Sequence, residues 1–400
     1  MSAHPHTLHL PAPERLVPSK FLLTYIFCVL AVVGIIFSAI GAVVNPHQFA
    51  YSWFFAFYYF FTIALGGFFW VTLHYACDSA WSVLPRRVWE NMLGLLPLFF
   101  VLFLPLLWFD FRDVLWKWMS PLHANDHELA LRSGYLNPTF FYIRVACYFF
   151  YFTLAGLYYR RESVLQDIDG NPVLTRRMHD HSYLALVIFG ILETFLGFDW
   201  LMGLDWRWFS SLFGVYNFTI CAQASMAAGI VIVAMLRFAG FLRPMNFEHF
   251  HLMGKLLFGF TIFWAYIAFG QFLLIWYGNI PEETIFYNDH NRGLWVYFSY
   301  LIIVGKFAFP TIYLLAQDTK KSLRALTFIA AWILLMHGVE LYWYIMPYAH
   351  QGSILPSWQD FVAFITVGSI LGYAYIRITA LASVFPTRDP RLVECLTITN

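Results

Sequence analysis

Ten stretches of this chain run apolar for roughly the width of a bilayer with few charges inside them, near 20–44, 52–77, 91–110, 138–159, 182–204, 212–236, 250–276, 293–316, 323–345 and 358–382. A hydrocarbon core of ~30 Å is crossed by about 20 helical residues. Each stretch therefore predicts a spanning helix, since a lone segment in lipid must satisfy its own backbone polar groups. The fold class that follows is all-α: a polytopic membrane protein of about ten transmembrane helices. The chain divides into a polar tail (1–19), a ten-helix domain (20–382) and a C-terminal tail (383–400). The first tail, rich in proline and histidine, has no apolar core and reads as a loose cytoplasmic segment and not as a signal peptide. Its histidines His4, His6 and His9 are potential metal ligands, but the composition fits an unstructured tail better.

The short polar connections carry the orientation. Fifteen Lys and Arg residues fall on the side of the N-terminus and five on the other, a bias that predicts both termini in the cytoplasm. Spans 2 to 5 and spans 6 to 9 divide into two four-helix units of like orientation, with spans 1 and 10 peripheral. The first span of each unit ends in a basic, proline-containing turn, "WSVLPRRVWEN" and "LRFAGFLRPMNFEH". The connection after span 3, "WFDFRDVLWKWMSPLHANDHELALRSGYLNP", is long enough to meet a partner protein, and its tryptophans suit an interfacial aromatic belt.

Composition agrees with the pattern: 60% of the 400 residues are hydrophobic and 12% charged, more apolar surface than a soluble core could bury. A net charge of +1 gives no field for nucleic acid. The five cysteines show no CxxC or zinc-type spacing, which disfavours disulfides, iron–sulfur ligation and covalent haem on this chain.

Ionisable residues inside the spans are the candidate chemistry, because a charge at mid-bilayer costs at least ~2.5–3.5 kcal/mol and needs a partner, a cavity or water. By depth they fall into an inner group (His74, Asp78, His251, Lys255), a central group (Glu193, Lys306, His337) and an outer group (Asp199, Arg144, Glu340), with Arg377 at the inner end of span 10. Helical spacing places His337 with Glu340, and His74 with Asp78, on common faces. Two readings fit: a chain of protonatable side chains across the membrane, or ion pairs that lock helices, Arg144 with Asp199 and Lys306 with Glu193 or Glu340. Asn217 and Gln271 read as ordinary polar contacts. The runs "YSWFFAFYYFF" and "YFFYF" suit packing or lipid contact before a ring pocket. A mid-membrane transporter site lacks paired Gly/Pro interruptions, and His74 and His337 lie at different depths, which disfavours a shared b-haem.

Three stretches carry a family resemblance: "HYACDSAWSVLPRRVWENM" after span 2, "FDWLMGLDWRWFSSLFGVYNF" joining spans 5 and 6, and "MGKLLFGFTIFWAYIAFGQFLLIWYGNIPEET" in span 7 and its loop. Together they resemble the NrfD-like, polysulfide-reductase-type membrane subunits, and among these a membrane subunit of bacterial alternative complex III. The resemblance implies two four-helix bundles in a bacterial inner membrane, within a quinol:cytochrome c type oxidoreductase. The expected partners are a homologous quinol-binding membrane subunit, outer-face iron–sulfur and cytochrome c subunits, and lipid. Haem and iron–sulfur clusters are expected on the partners and no cofactor on this chain, with quinol or menaquinol as the one possible ligand. A quinol site of this kind would sit at the outer end of the first bundle, where the chain offers Arg144 and the rim residue Asp110 but no histidine. The expectation is therefore a non-redox subunit that contributes a proton pathway through Glu193, Asp199, Lys306, His337, Glu340, His74, Asp78, Lys255 and His251.

Overall fold

A computed structural model describes residues 11–350 and 353–398; the three histidines of the N-terminal tail lie outside them. Ten helices are long and apolar enough to cross a membrane: span 1 (Leu22–Val44), span 2 (Pro46–Ala76), span 3 (Ala80–Leu107), span 4 (Pro138–Asp169), span 5 (Pro172–Leu204), span 6 (Phe213–Phe238), span 7 (Phe247–Gly278), span 8 (Gly293–Leu315), span 9 (Leu323–Tyr348) and span 10 (Trp358–Thr379). Among the described residues no β-strand forms; a single antiparallel bridge joins Arg15 to Ser383. The protein is an all-α, multi-pass membrane protein.

The helix starts are written in short polar signals. Spans 2, 4 and 5 each begin Asn-Pro: Asn45, Asn137 and Asn171 cap the first turn through their side-chain oxygens, and the proline occupies a position whose N–H has no helical partner. Spans 7 and 10 open with reciprocal capping boxes, Asn246 with His249 and Ser357 with Asp360. Between spans 4 and 5 the chain turns on two residues, Gly170 at φ 65° and Asn171. Residues 160–181, expected as a polar loop, are therefore mostly helical extensions of the two spans.

Spans 2 to 5 pack as one four-helix bundle and spans 6 to 9 as another, joined chiefly along spans 2 and 6, with span 5 also against span 6. Spans 1 and 10 pair with each other on the flank of span 2. Spans 2 and 6 are the most buried of the ten, and they approach so closely that a Cβ on Gly66 would collide with the Cys221 carbonyl. The run 51–61 is part of this contact; its phenylalanines and tyrosines are largely core, which accounts for the density of rings there.

Both described ends meet on one side, here called the termini face. The Val384 amide donates to the Glu14 carbonyl, and the Leu242 amide to the Glu14 side chain. The segment after span 10 does not hang free: Thr387 bonds Asp167, Arg388 the Ile168 carbonyl and Arg391 the Asp78 carboxylate. Beneath it lies a cluster the sequence reading placed in a loop. Arg86 and Arg87 are buried on the first turns of span 3; Glu90 lies 3.2 Å from Arg86 and 3.0 Å from Arg87, with Asp167 2.9 Å from Arg87 and Asp389 against Arg86.

Candidate functional site

The candidate site is a set of buried polar groups where the two bundles meet. Span 6 presents consecutive residues to two carboxylates. Asn217 donates its amide to Glu193 Oε1 of span 5 at 2.7 Å and accepts from the Tyr58 hydroxyl of span 2 at 2.7 Å. Tyr216, about 100° around the same helix, donates its hydroxyl to Glu340 Oε1 of span 9. Trp264 Nε1 of span 7 donates to the same oxygen at 2.7 Å, and Lys306 of span 8 holds the other one. The Lys306 ammonium also lies 4.7 Å from the Trp264 ring centroid.

The two carboxylates differ in kind. Glu340 faces a cation and two neutral donors. Glu193 is 1% exposed, accepts one neutral amide, and forms no ion pair among the described residues. An ionised, unpaired carboxylate in such a place would carry a large desolvation cost.

Lys306 stands on an irregular stretch. Residues Ile303–Ala308 form a π-helical turn inside span 8, and Pro310 two residues beyond it lacks the N–H that would bond the Lys306 carbonyl. Trp332 Nε1 of span 9 instead donates to the Gly305 carbonyl at 2.7 Å, so span 9 fills one of the freed acceptors. His337, one turn from Glu340, turns toward span 2: its Nε2 lies 2.9 Å from Thr62 Oγ1 and its ring 4.9 Å from that of Tyr59.

In the first bundle Arg144 and Asp199 form the pair expected of them. The guanidinium meets both carboxylate oxygens at 2.7 and 2.8 Å, donates to the Tyr135 carbonyl at 3.1 Å, and is covered by the Tyr135 and Phe140 rings at 4.0 and 4.3 Å. Tyr148 donates to Asp199 at 2.6 Å. Both bundles thus repeat one arrangement, a cation on the third helix facing a carboxylate on the fourth, with a tyrosine hydroxyl on the carboxylate.

Other sequence expectations resolve differently. Glu340, grouped with Asp199 and Arg144 at the outer level, belongs with Lys306; the lysine stem leans toward the start of its helix and closes the difference in depth. Lys306 does not meet Glu193. His74 and Asp78 do not pair: the helix ends at Ala76, Asp78 turns away at φ 53° to meet Arg391, and His74 packs among the rings of Trp70, Trp81 and Trp89. His251 lies 3.3 Å from Glu248 at the start of span 7, which also faces Lys321 at 3.5 Å. Lys255 and Arg377 are exposed on the helix flanks and make no ion pair among the described residues. Asp110 is exposed at the start of a short helix, Phe109–Leu115, and makes no ion pair among the described residues. Span 2 begins six residues earlier than expected, which places His47 at its far-face end against the Tyr51 ring, 5.2 Å away; the first bundle therefore does carry a histidine at that end.

Sequence reasoning passed over Tyr216 and Trp264 and set Asn217 aside as an ordinary polar contact. Asn217 and Tyr216 are neutral, and Trp264 reads as one more aromatic in an oily helix; none carries a charge to draw the eye. No shared signal marks them in the sequence: Tyr216 and Asn217 lie in the first turns of span 6 and Trp264 near the middle of span 7. No group of three or more His, Cys, Asp or Glu side chains with metal-binding geometry occurs among the described residues. Comparison with protein-family models and with curated proteins finds no match to this chain.

Proposed function

We propose that this chain is a membrane subunit of a quinol:electron-acceptor oxidoreductase, of the NrfD-like kind called ActF in alternative complex III, and that it contributes a transmembrane proton pathway without redox centres of its own. The observation that carries the pathway is the junction on span 6: Asn217 on Glu193 and Tyr216 on Glu340 bring an unpaired carboxyl and a lysine–carboxylate pair to neighbouring residues of one buried helix. Carboxyl, hydroxyl and ammonium groups at hydrogen-bond spacing are the parts from which proton relays in membranes are built. The family assignment rests on the three quoted stretches and on the two-bundle architecture.

In this reading Glu193 is the exchanging group, Asn217 and Tyr58 hold its carboxyl in place, and the Lys306–Glu340 pair sets the field beside it. Arg144–Asp199 serves as a helix lock: each of the three guanidinium nitrogens already has a partner, which leaves little for a quinone ring at Arg144. The termini face is cytoplasmic and the membrane is the bacterial inner membrane.

The assembly is tested by solubilising native membranes in mild detergent and isolating the chain through an affinity tag. The expected result is co-isolation of haem- and cluster-bearing subunits with quinol-dependent reduction of a c-type cytochrome. Isolation of the chain alone, with no quinol oxidation in the fraction, overturns the reading.

A further inference from the structure

Four of the far-face connections meet around a polar cavity of about 270 Å³ at the end of the second bundle. Lys117 comes from the short helical turn after span 3 and Arg207 from the connection between spans 5 and 6. Asp289 and Arg292 lie at the end of the helix Pro281–His290 and just past it, Trp295 in the first turn of span 8, and His350 just past span 9. Three cations on this wall thus face one carboxylate.

Arg207 is already engaged: it meets the two oxygens of buried Asp205 at 2.8 and 2.6 Å and lies 3.7 Å from Asp289. Lys117 and Arg292 make no ion pair among the described residues. Lys117 is half-buried; desolvation lowers its pKa below the ordinary 10.5, with Asp205 pulling it up and Arg207 down. Its charge is only partly answered by the protein. Two ring nitrogens of the wall are unanswered as well. Trp295 is 3% exposed, and its Nε1, which can only donate, finds no acceptor among the described residues; His350 Nε2 is likewise buried without a partner. The other acids near this end are taken, Asp205 by Arg207, and Asp360 by Ser52, Gln48 and the Ser357 amide.

We infer that this cavity binds a phosphate group, as free phosphate or as the headgroup of a phospholipid, through the Lys117 ammonium, the Arg292 guanidinium and the Trp295 N–H. A wall rich in donors and poor in acids selects an anion, and hydrogen bonds from charged donors to an oxyanion are the strong ones. The donors reach the cavity from separate connections, and a phosphate has more oxygens with which to answer them than the two of a carboxylate. Trp295 opens span 8 and Tyr348 of the same wall closes span 9, so the cavity lies level with the membrane surface, where headgroup phosphates are found. The cavity shares no residue with the junction on span 6, and the inference holds whether or not Glu193 moves protons.

The test is a calorimetric titration of the full chain, isolated from native membranes with its accompanying subunits and washed free of bound lipid and phosphate in maltoside. Inorganic phosphate and dihexanoyl-phosphatidylglycerol are added separately at constant ionic strength. Saturable binding at one site per chain is expected, and the tighter of the two probes names the source of the phosphate. Lys117→Gln and Arg292→Gln should each weaken binding about tenfold, the loss of one charge-assisted hydrogen bond. Asp289→Asn, which removes the acid facing the cavity, should strengthen it, a gain that misfolding cannot produce. Three results overturn the inference: no saturable binding of either probe by the unaltered protein; equal affinity for acetate, which would mark a seat for an acidic protein side chain; or affinity unchanged in all three variants.

Discussion

Asp199 receives both arms of the Arg144 guanidinium and the Tyr148 hydroxyl within 2.8 Å, in a place with little water to replace any of them. Removing one member of such a pair leaves the other charge buried and uncompensated, so Arg144→Ala is expected to cost ~3–5 kcal/mol, read as a lowered thermal unfolding midpoint in detergent. Adding Asp199→Asn should recover part of that loss. Arg144→Ala melting like the unaltered protein would show that water or lipid headgroups already shield the pair. This pairing was legible in the sequence because two rare charges lay at matched depth in adjacent spans. The failed pairing of His74 with Asp78 has an equally simple cause. The i, i+4 rule holds only inside a helix, and the helix ends before Asp78.

Helix placement by apolar run length succeeds for all ten spans because the bilayer imposes one length and one solvent on each. It misjudges the ends, where that constraint lapses. The extensions of spans 4 and 5 are polar and helical, held by Gly170, Asn171 and Pro172, and the basic start of span 3 is buried only because Asp167 and Asp389 arrive from distant segments. Contact between spans 2 and 6 is the element on which the site depends. Gly66→Val would drive a side chain into the Cys221 backbone, at about 1–3 kcal/mol or more; Gly190→Ala, with open space around it, should melt unchanged. Equal midpoints for the two variants would contradict this packing. The short helix Pro281–His290 covers the far-face end of the second bundle, and His290 sits wholly buried with Nδ1 2.7 Å from the Phe286 carbonyl and Nε2 3.1 Å from the Tyr344 carbonyl. Burial lowers its pKa below the ordinary 6.5, despite the two carbonyls, which pull the other way. The folded state thus binds a proton less readily than the unfolded one. Stability from this group is complete above about pH 6.5 and falls as the pH drops below it, by at most about 1.4 kcal/mol per pH unit. Melting midpoints of the unaltered protein and His290→Gln, compared across pH 7.5 to 5, should diverge on that side only; parallel curves would show that the ring is already protonated or solvated.

Seen whole, the molecule is two bundles that repeat a cation–carboxylate–tyrosine arrangement but use it differently. The first encloses its pair in rings, whereas the second leaves its pair beside a cleft and one residue along span 6 from the contacts of Glu193. The segment after span 10 packs over the termini face, and the junction on span 6 lies buried between the two bundles. Glu193 is the carboxyl at this junction whose charge no fixed cation compensates, and the proposed pathway stands on it. The most direct measurement is proton release per electron during quinol oxidation by the assembled complex in sealed vesicles, comparing the unaltered protein with Glu193→Gln and Glu193→Asp. The account predicts that Glu193→Gln assembles normally but releases fewer protons per electron, with Glu193→Asp restoring part of the loss. An unchanged ratio at unchanged turnover in an assembled Glu193→Gln complex would contradict it.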